Sequence, residues 1–290
     1  MPIRLLFLVA FVLGWIVPGA AAAADVTHGK GLLWRVERTG APPSFVFGTI
    51  HSEDKRVTRL PAPVQAAFDR AHSLTVEMLL EPEANAALAS AMFLGKDQNL
   101  RAILGDDLYH RTIRALEDHG MPRQIAGALK PWAVTVMLSM PKPDTGEFLD
   151  KVLYAAALDQ GKPVHGLESV EEQLAIFEDL PMTDQVRLLE AAMEGSPAAY
   201  IEELIAAYLA RDLAAMMMLN NRANAQLDQE LATRITRRLL DDRNERMVQR
   251  MEPRLREGNA FIAVGALHLP GERGILKLLE GRGYRVTVVY

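Results

Sequence analysis

Apolar residues follow two rhythms along this chain. Short runs rich in Val, Phe, Leu and Ile, closed by Gly, Pro or Ser, occur at 32–37, 45–48, 74–78, 163–167, 260–264 and 285–290. Such runs predict β-strands. Between them, 82–160 and 170–257 carry apolar residues at three- and four-residue spacing, which predicts long helical tracts. Strands far apart in sequence with helices between them point to an α/β fold. The expected architecture is a central mixed sheet made of two βαβ-like halves with large helical insertions. The stretch 129–140, with Trp132, is strongly apolar but too short to span a bilayer of about 30 Å, and so predicts a buried helix of the insertion. Met216, Met217 and Met218 form an apolar patch that fills core or lines an adaptable groove.

One pattern occurs twice. Phe45-Val46-Phe47-Gly48-Thr49-Ile50-His51 and Phe261-Ile262-Ala263-Val264-Gly265-Ala266-Leu267-His268 are both apolar runs ending in Gly-x-x-His. Each leads through a loop to a short helix, at 63–71 and 274–280, and then to another strand. The repeat resembles a duplicated βαβ half, with right-handed crossovers expected. A histidine just past the C-terminal end of a strand stands where α/β folds place ligand chemistry. The two imidazoles are therefore expected to converge on one site. Gly48 and Gly265 are expected to permit a sharp turn and the close approach of a ligand.

Acidic and basic candidates lie in similar settings. Glu77 sits in the apolar run 74–78, where a carboxylate is costly unless paired or bound to metal. The repeat sets its strand beside the one ending at His51. Glu168 closes the run from 163 and precedes Ser169, which forms a capping box with Glu172 for a helix at 170–179. Ser169 thereby has a structural role. Near that helix's positive end, Glu168 stays ionised and can hold a cation or a protonated base. Arg243 shares the stripe Ile235, Leu239, Met247 and Met251 on a helix expected through 233–252. A guanidinium there requires an acidic partner or an anionic transition state. It is read as an oxyanion or substrate clamp, or as a structural partner of Glu77, Glu168 or Asp150. Asp150, among Leu149, Leu153 and Ala157, and Asn244, beside Arg243, complete the candidates.

Composition narrows the chemistry. There is no cysteine among 290 residues, which excludes disulfides, thiolate metal sites and a Cys nucleophile. Any metal must be held by His, Asp or Glu. A net charge of −5, spread along the chain, gives no footprint for nucleic acid. Residues 1–24 read as a secretory signal, with Arg4, the apolar stretch 5–17 and small residues at 20–24. The expectation is export to the periplasm or exterior of a bacterium, no membrane span after cleavage, and one α/β domain over 25–290.

These residues carry a family resemblance. Phe-Gly-Thr-Ile-His at 47–51, Val-Glu-Met at 76–78, Leu-Lys-Pro-Trp at 129–132 and Leu-Asp at 149–150 are followed by Gly-Lys-Pro-Val-x-Gly-Leu-Glu-Ser at 161–169 and Glu-Glu-Gln at 171–173. Asp-Arg-Asn at 242–244 and Val-Gly-Ala-Leu-His-Leu-Pro-Gly-Glu at 264–272 complete the set. Together they resemble the TraB/GumN family, related in motif to the Tiki metalloproteases and more remotely to erythromycin-esterase-like proteins. The resemblance covers nearly the whole chain after the leader. It implies a divalent-metal-dependent hydrolase, with Mn²⁺ or Co²⁺ in Tiki-like members. The family's paired histidines map to His51 and His268, its acids to Glu77 and Glu168, and its basic residue to Arg243.

The leading expectation is hydrolysis of an amide or ester in a peptide or small molecule. His51, His268 and Glu77 would hold Mn²⁺, Co²⁺, Fe²⁺ or Zn²⁺. A remaining glutamate would take a water proton, and Arg243 would meet the oxyanion. A metal-free version uses His51 as general base oriented by Glu77. The rival is a non-catalytic periplasmic protein that sequesters a peptide, a metal or haem. Oligomeric state is not set by these patterns.

Overall fold

Every apolar run expected as a strand forms one, and the strands join a single sheet. In the computed structural model, residues 26–79, 82–140, 142, 144–194, 197–224 and 226–290 are described. The expected leader, 1–24, lies outside them. The strands are β1 (Leu33–Glu37), β2 (Ser44–Thr49), β3 (Ser73–Val76), β4 (Val164–Gly166), β5 (Ala260–Gly265) and β6 (Arg285–Val288). Their order across the sheet is β4-β3-β5-β2-β1-β6. Strands β4, β3, β5 and β2 run parallel, while β1 pairs antiparallel with both β2 and β6. The sheet is thus mixed, as the pattern implied.

The centre belongs to β5 because its sequence allows nothing else. Every residue of Ala-Phe-Ile-Ala-Val-Gly is buried, and a strand covered on both faces reads as a continuous apolar run. This placement corrects one expectation. Glu77's strand, β3, does not lie beside β2, because β5 is inserted between them. The chain leaves β2, passes through the helix Ala62–Arg70 and enters β3 by stepping over β5. The second half leaves β5, passes through the helix Ile275–Gly281 and reaches β6 at the far edge. Both repeats are crossovers between parallel, non-adjacent strands.

The helical tracts break into shorter helices at glycine and proline. Gly105 has φ +72° and Gly120 has φ +82°, while Pro131 opens the helix Pro131–Leu138 and Pro181 caps Met182–Met193. Nearly every residue of Pro131–Leu138 is buried, including Trp132. It belongs to a helical core with Ile113, Leu116, Phe177 and Leu188, separate from the sheet core around Phe47, Phe68, Leu74 and Phe261. No helix among the described residues is long and apolar enough to cross a membrane. The regular helix expected through 233–252 is instead Gln229–Thr236, a wide π turn at Arg237–Asp241 and the helix Asp242–Glu257.

Gly48 serves packing rather than a turn. It lies within β2, and a Cβ there would sit 2.9 Å from Leu269 Cδ1 and 3.0 Å from Ala266 Cα. The missing side chain lets the His268-bearing 3₁₀ turn, Ala266–His268, press directly on β2. Because one contact is backbone, relief requires moving the turn. Gly48→Ala is expected to destabilise the protein by about 1–3 kcal/mol through overpacking, read as a lowered Tm.

Candidate active site

The parallel strands bring the candidates together at their C-terminal ends, where α/β sheets place ligands. The β2–β5 register pairs Gly48 with Val264 and Thr49 with Gly265. The two motif glycines are thus offset by one residue, and beyond Gly265 the chain winds into the 3₁₀ turn that carries His268. Glu77 lies within electrostatic reach of both His268 and His51. Glu77 follows β3 directly, and Glu168 lies two residues past β4. The β3–β4 pairing continues beyond both strands, because the Glu168 N–H donates to the Glu77 carbonyl at 2.7 Å.

His268 is almost completely buried. Asn244 Nδ2 donates to the Arg273 carbonyl at 2.8 Å, which fixes the amide so that its Oδ1 faces His268 Nδ1 at 2.6 Å. An amide oxygen only accepts, so Nδ1 carries the proton and Nε2 presents a lone pair. Burial, with Arg243 nearby, pushes the imidazole pKa down to about 4, so the ring is neutral. Its Nε2 has no hydrogen-bond partner and lies 3.8 Å from Glu77 Oε1.

His51 is held from behind in a parallel way. Its Nδ1 lies 3.2 Å from Asp150 Oδ2, and Thr49 Oγ1 donates to Asp150 Oδ1 at 2.7 Å. Phe148 stacks on its ring at 5.5 Å between centroids. Burial lowers the imidazole pKa, but the Asp150 carboxylate outweighs it and the net shift is upward. The orienting carboxylate is therefore Asp150, two residues after Phe148 at the start of the helix Leu149–Asp159. Glu77, expected in that role, acts on His51 through its charge.

Arg243 is wholly buried between two acids. Its Nη2 donates to Glu77 Oε2 at 2.5 Å and to Glu168 Oε2 at 2.7 Å. Its Nε donates to Glu168 Oε2 at 2.9 Å, and its Nη1 to the Leu239 carbonyl at 3.2 Å. Glu168 also accepts from Arg246 Nη2 at 2.8 Å and Gln173 Nε2 at 3.3 Å. Glu77 Oε1 accepts from the Gly265 N–H at 2.6 Å. Burial alone would raise the pKa of each carboxyl, but Arg243 holds both below the usual range.

These residues fit a divalent cation in part. A lone pair on His268 Nε2 facing a carboxylate oxygen 3.8 Å away is too wide for a hydrogen bond. Two donors about 2.1 Å from a tetrahedral ion stand roughly 3.4 Å apart, close to that spacing. Both histidines also have an oxygen acceptor behind Nδ1, as ligating imidazoles usually do. Among the described residues, however, no three His, Asp or Glu side chains are drawn together as a finished metal site.

The structure thus unites His51, His268, Glu77, Arg243, Asp150, Asn244 and Glu168. The sequence motifs do not single out roles for Thr49, Phe148, Arg246, Gln173 or Tyr208, whose hydroxyl donates to the Gly48 carbonyl at 2.9 Å. Thr49 at least stands inside a motif, whereas nothing in the sequence marks Tyr208.

Removing one member of a buried ion cluster strands its partner's charge. Arg243→Met is expected to cost about 3–5 kcal/mol in chemical denaturation. Arg243→Lys is expected to recover little, because an ammonium cannot make the forked contact. The pH dependence has a defined sign. A carboxyl with a depressed folded pKa stabilises above its unfolded value, here 4.5, and loses that contribution as pH falls through the folded value. Thermal melts are therefore expected to drop on acidification below about pH 4.5, with a shallower slope in Glu168→Gln.

The sequence model of the TraB/PrgY/gumN family matches residues 32–288, a span that holds all seven converging residues. Metalloprotease TIKI2 of Danio rerio is 28% identical over 315 residues, covering 89% of this chain and 60% of the relative. Metalloprotease TIKI2 of Xenopus tropicalis is 30% identical over 312 residues, covering 89% and 59%. Metalloprotease TIKI1 of Homo sapiens is 28% identical over 312 residues, covering 89% and 61%. The chain therefore spans about three fifths of the length of these relatives. It belongs to the TraB/PrgY/gumN family.

Proposed function

We propose that this protein is a divalent-metal-dependent hydrolase of amide bonds in peptides, exported to the periplasm or the exterior of a bacterium. The observation that carries the reading is the buried, unpartnered Nε2 of His268 facing Glu77 Oε1. The metalloprotease relatives support the reaction class and the peptide substrate. The expected leader at 1–24 supports export.

His268, Glu77 and His51 would hold the cation. When bound, such an ion polarises a carbonyl and acidifies water. The remaining residues prepare the donors. Asn244 keeps the proton on His268 Nδ1 and so keeps the lone pair on Nε2. Asp150, steadied by Thr49, favours the proton on His51 Nδ1. Arg243 and the Gly265 N–H keep Glu77 ionised and fixed. Glu168 anchors Arg243 with both oxygens occupied, which suits it to positioning and not to taking a proton from water. Arg243, with Nε and Nη2 committed to carboxylates, likewise positions Glu77 instead of meeting an oxyanion.

The test is cleavage of a peptide library after chelation and after re-addition of Mn²⁺, Co²⁺ or Zn²⁺. Cleavage is expected to vanish with chelation, return with metal and be lost in His268→Ala. Asn244→Ala and Asp150→Ala are each expected to weaken metal affinity or activity about 10–100-fold. Tight peptide binding without cleavage under any metal would overturn the hydrolase and support sequestration.

A further inference from the structure

The segment after residue 143 touches the His51 strand end at several points, and Glu53 makes the outermost of them. Glu53 Oε2 accepts from the backbone N–H of Asp144 at 3.1 Å and of Thr145 at 2.5 Å, and from Thr145 Oγ1 at 2.9 Å. Three residues beyond Thr145, Phe148 covers one face of the His51 ring. Two residues further, Asp150 meets both His51 Nδ1 and Thr49 Oγ1. Residues 49, 51 and 53 therefore grip residues 150, 148 and 145 in antiparallel sequence order. The contacts with Phe148 and Asp150 Oδ2 are made by the imidazole itself, while Thr49 and Glu53 hold the same segment on either side of it.

We propose that Glu53 is a positioning residue for His51. By pinning the backbone at 144–145, it holds Phe148 flat against the imidazole and sets the approach of Asp150. The ring then has one face covered by Phe148 and its Nδ1 held at Asp150, which fixes the direction in which Nε2 points. A carboxylate suits the task, because one ionised oxygen gathers three donors in charge-assisted hydrogen bonds. The inference deepens the hydrolase reading only in assuming that His51 works at the site. The positioning itself is testable without turnover.

The experiment records the imidazole resonances of His51 and His268 by NMR on the full chain at one fixed pH, assigned by substituting each histidine. Phe148→Leu gives the change produced by removing the stacked ring. Glu53→Ala and Glu53→Asp, the latter too short to reach, are expected to move the His51 signals in the Phe148→Leu direction, toward those of an unstacked imidazole. The His268 signals stay in place, which also reports that the sheet and its site end remain folded. Glu53→Gln keeps the reach and one acceptor oxygen and is expected to restore the wild-type His51 signals. Unchanged His51 signals in both Glu53→Ala and Glu53→Asp would overturn the proposal. So would equal displacement of both histidines in Glu53→Asp, which marks a general structural role. Loss of peptide cleavage is not part of this readout, so a failure here and a failure of the hydrolase reading are separable.

Discussion

The site rests on one buried guanidinium. Taking Arg243 out of water costs several kcal/mol, and the cost is offset only because two carboxylates and a carbonyl meet its donors with good geometry. Glu77 comes from the end of β3 and Glu168 from beyond β4, while Arg243 comes from the first turn of the helix Asp242–Glu257. The cluster therefore ties that helix to two strand ends. The adjacent residue, Asn244, is delivered to His268 by the same turn. Charge neutralisation and imidazole orientation are thus two results of one helix placement. The π turn just before it, at Arg237–Asp241, supplies the Leu239 carbonyl that receives Arg243 Nη1. Single wide turns of this kind recur at functional sites.

The donors that face the site and the groups behind them are drawn from different parts of the chain. His51 and His268 come from the repeated motif, but their partners do not. His51 is oriented by an acid, Asp150, in one helical insertion, and His268 by an amide, Asn244, in the other. The difference has electrical consequences. The carboxylate outweighs burial and raises the pKa of His51, while at His268, with no such carboxylate behind Nδ1, burial and the nearby Arg243 bring it down to about 4. Two histidines with the same local sequence are thereby given unlike basicities.

Much of the sheet was legible because short apolar runs between glycine and proline have few other uses. The site residues were legible for a related reason: each polar group stood where an apolar one was due, as Arg243 does in the stripe from Ile235 to Met251. Strand order was less accessible. The repeat put β3 beside β2, and only the burial of all of β5 shows why that strand had to come between them. Pairings across long sequence separations were also hidden. Nothing in the sequence says that Asp150, and not Glu77, stands behind His51, or that Tyr208 reaches the Gly48 carbonyl. Gly48 itself was correctly marked as special for the wrong physical reason, since its neighbour is the 3₁₀ turn and not a ligand.

The contrast between the two glutamates follows from counting their acceptors. Glu168 has Arg243, Arg246 and Gln173 on its oxygens, and its side chain has no exposed surface. A proton could reach it only by displacing a guanidinium, which would leave Arg243 with half its compensation. Glu77 divides its oxygens instead. Oε2 is committed to Arg243, while Oε1 keeps a single backbone donor and faces the lone pair of His268. A carboxylate oxygen has room for more than one partner, and the imidazole opposite can supply no proton to fill it. The two acceptors confront each other across a gap that only a cation, or a donor from outside the protein, can reconcile.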